Sequence, residues 1–251
     1  MTPVGDPAAR SGRVVRHGPG RLSAPRGCGR FRALSVLQPT TLDDALAARA
    51  AHPEAVVVAG GTAVLVDLNR GVEIATLIDL SRVAELHESA RDGDVVRLGA
   101  GTTYTDVLER HADALPGLAQ AAATVASRQV RNRATIAGAL VLGDPSADAL
   151  AALGAAGASV EVASPRGVRR VAADAFVTGV GECDLQAGEL VSAVVVPVAD
   201  GPVAYAKAGA RNAMARAVGG VAIALHPARR SGGVCVVGAA PTAIRPSVAE
   251  D

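Results

Sequence analysis

Apolar positions along this chain fall into short blocks of two kinds. Apolar-rich runs lie at 55–59, 75–80, 95–99 and 190–196, the last stopped by Pro197; the first reads as a buried strand broken by Gly60-Gly61 and the others repeat the strand pattern. Residues 159–163 and 168–171 flank Pro165-Arg166-Gly167 as a hairpin, and 203–207, 218–225 and 233–239 are three further strand-like runs. Helical spacing appears at Leu42, Ala45, Leu46 and Arg49, opened by Thr41-Leu-Asp-Asp44, a capping box with Asp in place of Glu. Thr103-Tyr-Thr-Asp106 is a second such start, and the Ala-rich segments 118–127 and 149–153 predict two more helices. The polar stretches between the 75–80 and 95–99 runs read as turns. Strands and helices mix without the strict alternation of a doubly wound sheet, so the pattern predicts an α+β fold.

Composition narrows the classes of function. With 49% hydrophobic and 20% charged residues in 251, the chain can bury a large core, as one big domain or two modest ones. A net charge of +1 gives no global basic field for nucleic acid or an anionic membrane. Four aromatics, Phe31, Phe176, Tyr104 and Tyr205, are too few to stack a row of bases. Cys28, Cys183 and Cys235 lie far apart without C-x-x-C spacing, which argues against a disulfide scaffold, a zinc site or an iron–sulfur cluster in this chain. The longest apolar runs fall short of the roughly 18 to 20 residues that cross a bilayer, so the chain reads as soluble and cytoplasmic, with no membrane span.

Charge is unevenly spread. Residues 1–33 hold seven arginines against the single acid Asp6, a net +6 that leaves −5 for the rest. Gly and Pro scatter through the segment and no apolar stretch follows, so residues 1–30 read as a basic tail outside the fold. A basic arm for a polyanion, an organellar transit peptide and a start placed upstream of the native one are its possible origins.

The signatures of phosphate loops, zincins and hydrolase elbows are absent. Gly99-Ala-Gly101 follows a strand, but Tyr104 stands where a third Rossmann glycine belongs. Two small-residue turns remain. Ala59-Gly60-Gly61-Thr62 leaves a strand with no side chain to shield the backbone, and Thr135-Ile136-Ala137-Gly138-Ala139 follows the Arg128, Arg131 and Arg133 cluster with the same character. Rows of bare N–H groups suit phosphate oxygens, and two such rows brought together could grip the diphosphate of one dinucleotide.

Taken with their neighbours, these turns resemble a known family. A-G-G-T at 59–62, L-I-D-L at 77–80, G-A-x-T-T at 99–103, Q-V-R-N-R-A-T-I at 129–136, D-P-S-A-D at 144–148, G-E-L-V at 188–191, A-Y-A-K at 204–207 and A-P-T at 240–242 occur in that order. The series resembles the FAD-binding medium subunit of molybdenum hydroxylases, the carbon monoxide, xanthine and aldehyde dehydrogenase type complexes, with its PCMH-type FAD domain. The resemblance implies an FAD-binding domain over 31–200, followed by a shortened C-terminal α+β domain at 201–251. Under it, Ala59, Gly60, Gly61, Thr62 and Ala63 form one FAD-binding turn and Thr135, Ile136, Ala137, Gly138 and Ala139 the other, with Thr103 beside them. Asp148 is placed at the adenosine side of FAD, and Val191 and Lys207 near the flavin ring. No residue is expected to act as a catalytic acid or base, and none to bind metal.

The resemblance further implies partners. A large subunit would hold the molybdenum cofactor and a small one the [2Fe–2S] clusters, in a dimer of heterotrimers. This chain would pass electrons through FAD to an acceptor such as NAD or a quinone. Ala63, Ala137 and Ala139 stand where the family has Asp, Gly and Asn, and these departures predict FAD binding weakened about tenfold to a hundredfold. A degenerate scaffold subunit without flavin is the alternative reading. A stand-alone flavin reductase is a further one, for which no acid–base set is visible. The short C-terminus predicts that strands from Val203 onward keep an exposed apolar face.

Overall fold

The computed structural model describes residues 34–211 and 214–246, so the basic tail predicted at 1–30 lies outside the described residues. The chain opens with β1 (Ser35–Leu37), α1 (Leu42–Ala51), β2 (Val56–Val58), α2 (Val64–Asn69) and β3 (Thr76–Asp79). These strands form a parallel sheet in the order β1-β3-β2, with Val58 level with Asp79. Thr41 caps α1 by accepting from the Asp44 amide at 3.1 Å. The 55–59 run forms its strand, but its side chains are only half-buried because this small sheet is covered incompletely.

Next come β4 (Ser89–Asp92), β5 (Val95–Gly99), α3 (Tyr104–Arg110), α4 (Pro116–Ala123), α5 (Arg128–Arg131), α6 (Ile136–Val141) and α7 (Asp148–Ala155). They are followed by β6 (Ser159–Ser164), β7 (Gly167–Ala172), α8 (Ala173–Phe176), β8 (Val177–Gly179), β9 (Glu182–Cys183) and β10 (Leu190–Pro197). An antiparallel sheet runs β4-β5-β10-β6-β7, and β8 pairs with β9. β10 is buried along nearly its whole length because it is central, which explains its unbroken apolar run. Two expectations change here. β4 occupies a stretch read as turns, its polar and exposed side chains hiding an edge strand. The helix expected over 118–127 is α4, starting at Pro116 and ending at Ala123, where Ala126 takes a φ of +40° and stops it.

The chain ends with β11 (Val203–Gly209), β12 (Ala217–His226) and β13 (Ser231–Val237), an antiparallel sheet in that order. One face lies on α7 at very close range: a Cβ on Gly233 would stand 2.0 Å from the Ala155 carbonyl oxygen, and one on Gly154 2.6 Å from Cys235 Sγ. Small residues on both sides let sheet and helix approach. Ala222, Ala224, Cys235 and Val237 therefore join one buried cluster with α4, α7 and the five-stranded sheet. On the other face Ile223 and Leu225 are exposed, as is Val218. A small parallel sheet, antiparallel sheets and helices packed among them make the fold α+β.

Candidate functional site

Three loop segments meet where β2, β5 and α5 end. Thr103 and Thr135 form an isolated antiparallel bridge, the Ile136 amide donates to the Thr102 carbonyl at 3.0 Å, and the Tyr104 amide to the Ala134 carbonyl at 3.1 Å. Gly60 packs onto the same backbone, for a Cβ at this position would lie 1.9 Å from the Arg133 carbonyl oxygen and 3.1 Å from Ala134 Cα. No residue with a side chain fits there. The two turns predicted to face one diphosphate are thus packed side by side.

Their amides differ. The N–H groups of Gly60, Gly61, Thr62, Ala63 and Val64 have no hydrogen-bond partner among the described residues, and the half-buried Thr62 hydroxyl has none either. Gly61 sits at φ +76°, which reverses the chain without a side-chain penalty, and Ala63 precedes α2 with no side-chain cap. A row of unpaired amides beside a hydroxyl is an acceptor-binding concavity. The second turn is not the bare row expected. It is the capped start of α6: Thr135 Oγ1 accepts from the Gly138 amide at 3.0 Å, and the Thr135 carbonyl accepts from Ala139 at 3.1 Å. Among the described residues, the Thr135 and Ala137 amides of this turn have no hydrogen-bond partner. Ala137 is buried and has no positive φ, so its methyl causes none of the backbone strain that replacing a left-handed glycine would bring. Thr103 is likewise committed, its hydroxyl donating to Asp106 at 2.6 Å in a complete capping box.

Asp148 and Lys207, expected at opposite ends of an FAD, are joined to each other in the structure. Lys207 Nζ donates to Asp148 Oδ2, to the Thr124 carbonyl and to the Ala215 carbonyl, each at 3.0 Å. The Tyr205 hydroxyl donates to Asp148 Oδ1. Both side chains are buried, at 12% and 8% exposure, so Lys207 is neither a surface charge nor a free cation for a flavin, and each Asp148 oxygen already holds a donor. This cluster clasps β11 to α4 and α7. Burial and the Asp148 charge push the Tyr205 hydroxyl far above its ordinary pKa, and Tyr104, wholly buried nearby, is raised by burial and by Asp148 and Asp144. Val191 is a core side chain in β10, paired across to Val162. Tyr205 was missed as a partner, although strand alternation puts residues 205 and 207 on one face.

The arginines also separate. Arg131 donates to the carbonyls of Val125 and Ala126, at 2.7 and 2.9 Å, and so closes the end of α4. Arg128 and Arg133 are exposed, without an ion pair among the described residues. At the end of β3, Asp79 accepts from the Ser81 amide at 2.9 Å and from Gln38 at 3.1 Å. Burial alone would raise its pKa, but these bonds and the Arg133 charge hold it below the ordinary value. Among the described residues no cluster of three His, Cys, Asp or Glu could hold a metal ion, and no helix is long and apolar enough to cross a membrane.

Residues 30–199 match the family model described as the FAD binding domain in molybdopterin dehydrogenase. The chain belongs to this family. The xanthine dehydrogenase FAD-binding subunit of Escherichia coli O157:H7 is 37% identical to it over 175 residues, 66% of this chain and 59% of that protein. The carbon monoxide dehydrogenase medium chain of Hydrogenophaga pseudoflava is 35% identical over 147 residues, 57% of this chain and 51% of that one. Among solved structures, quinoline 2-oxidoreductase from Pseudomonas putida 86 superposes with a TM-score of 0.81 at 28% identity, covering 89% of this chain and 80% of that chain. The Cu,Mo-CO dehydrogenase gives 0.79 at 26% identity, over 86% and 79%. The chain spans about three-fifths of the length of the first of these curated relatives, 59%.

Proposed function

We propose that this chain is the FAD-binding, electron-transfer subunit of a molybdenum hydroxylase complex. The observation that carries the reading is the run of unpaired amides from Gly60 to Val64, held against the Arg133–Ala134 backbone by the close approach of Gly60. A diphosphate offers oxygens to such a row without a side chain in the way, so the residues present fit the central part of FAD. Bound FAD supplies two-electron and one-electron redox chemistry. The chain's own part is to bind and orient. Gly60, Gly61, Thr62 and Ala63 hold the diphosphate, and Ala137 adds one amide from the second turn. Thr103 and Thr135 fix that turn in place through their caps and their bridge.

The clasp of Asp148, Tyr205 and Lys207 keeps β11 against α4, and through Thr124 and Arg131 it sets the segment that leads into the second turn. No acid or base is required of this chain. By analogy with its relatives, the partners are a large subunit with the molybdenum cofactor and a small one with [2Fe–2S] clusters, assembled as a dimer of heterotrimers, and the acceptor is NAD or a quinone. Titrating the full chain with FAD and with riboflavin, which lacks the diphosphate, tests the reading. Saturable FAD binding with much weaker riboflavin binding is expected. Absence of FAD binding at saturating concentration would favour a scaffold subunit.

A further inference from the structure

We propose that Asp79 accepts hydrogen bonds from the adenosine ribose of FAD, one strand over from the amides that take the diphosphate; this deepens the FAD reading above and rests on it. β2, the glycine turn, α2 and β3 make a parallel crossover between neighbouring strands. Val58, the last residue of β2, is level with Asp79, the last of β3. The acid therefore stands about 4.8 Å to the side of the strand that feeds the turn, the spacing of adjacent strands. In open parallel sheets ligands bind beyond the carboxyl ends of the strands. A dinucleotide with its phosphates on a glycine turn brings its ribose to the end of the next strand, where an acid about 20 residues on takes the hydroxyls. Asp79 follows Gly60 by 19 residues, although the turn A-G-G-T carries no Rossmann fingerprint.

Asp79 is also chemically available. It is half-buried, and the Ser81 amide, the Ser81 hydroxyl and Gln38 supply three donors, which leaves room on the carboxylate for another. The other acids near the turns are each in an ion pair, Asp148 with Lys207, Asp106 with Arg110 and Asp144 with Arg216. Arg133, whose backbone touches Gly60, places its charge within range of Asp79 and offsets repulsion between the carboxylate and a neighbouring diphosphate.

Measuring Kd for FAD and for the FAD analogue built on deoxyadenosine, in the wild-type chain and in Asp79→Asn, tests this. Asparagine keeps an acceptor for the Ser81 amide, and a melting curve checks that the variant folds. The wild type should bind the analogue about tenfold or more weakly than FAD, the loss expected for a hydrogen bond to a charged group. Asp79→Asn should bind FAD about tenfold more weakly and discriminate little between the two. Equal wild-type affinity for both ligands, or undiminished discrimination by the variant, overturns the assignment to Asp79 while leaving FAD binding intact. Displacement of FAD by excess NADH with the same dependence on Asp79 would assign the ribose site to the acceptor and overturn it too. A wild-type chain that binds no FAD defeats the underlying reading, and this assignment with it.

Discussion

Replacing Gly60 by alanine probes the junction on which both turns depend. The new Cβ would lie 1.9 Å from the Arg133 carbonyl oxygen and 2.7 Å from its carbon, and both are backbone atoms that no rotamer change can clear. Ordinary contact begins near 3.4 Å, so the two turns must separate by about 1.5 Å. Overpacking of this kind costs roughly 1–3 kcal/mol. It also moves the amides of residues 60–64 away from the second turn, and a misplaced charge-assisted contact lowers FAD affinity by about tenfold to a hundredfold. Gly61→Ala is the comparison: its Cβ meets side chains alone, Leu65 at 3.3 Å and Val58 at an ordinary 3.7 Å, while its φ of +76° brings strain of about 1 kcal/mol. Urea denaturation and flavin-fluorescence titration read the two effects separately. A Gly60→Ala chain that unfolds and binds FAD like the wild type would refute the packing argument.

Three more outcomes follow from the same geometry. Lys207→Met strands a buried carboxylate and two carbonyls and should lower stability by about 3–5 kcal/mol, partly restored by adding Asp148→Asn, as a double-mutant cycle in urea would show. Thr135→Ala removes the cap on the Gly138 amide and should cost about 1 kcal/mol in the same assay, with Thr135→Ser close to wild type. Asp79, Asp106, Asp144, Glu161 and Glu189 are all held below their ordinary values of 3.8 for Asp and 4.5 for Glu. Groups depressed in the folded state contribute stability that is complete above those values and disappears as pH falls through the folded ones. Burial also lowers the His111 pKa from its ordinary 6.5, so the urea midpoint should slip slightly as pH falls below about 6.5 and decline steeply below about 4.5, where the carboxylates titrate.

Local chemistry was legible in the sequence and tertiary chemistry was not. The Thr103 cap could be read because hydroxyl and acid lie three residues apart, and β10 because a central strand is apolar on both faces. β1 and β4 escaped notice: short edge strands with exposed side chains have no hydrophobic signature. Gly60-Gly61 could be seen as an unshielded turn, yet the reason for Gly60, the Arg133 carbonyl, lies 73 residues away in the chain. The Asp148–Lys207 pair spans 59 residues, and no spacing rule announces a contact made by packing β11 onto α7. The second turn was misread because a capped helix start and a bare loop share the same small residues, and only the Thr135 hydroxyl distinguishes them.

The proposed FAD site rests on the backbone N–H groups from Gly60 to Val64 holding the diphosphate. Nitrogen–proton correlation spectra of the labelled full chain, recorded with FAD and with riboflavin, read those amides one by one. The amides of Gly60, Gly61, Thr62, Ala63 and Val64 should move strongly with FAD and little with riboflavin, while that of Gly138, already bonded to Thr135, should move less. Five still amides in a chain that nonetheless binds FAD would place the diphosphate elsewhere and contradict this site.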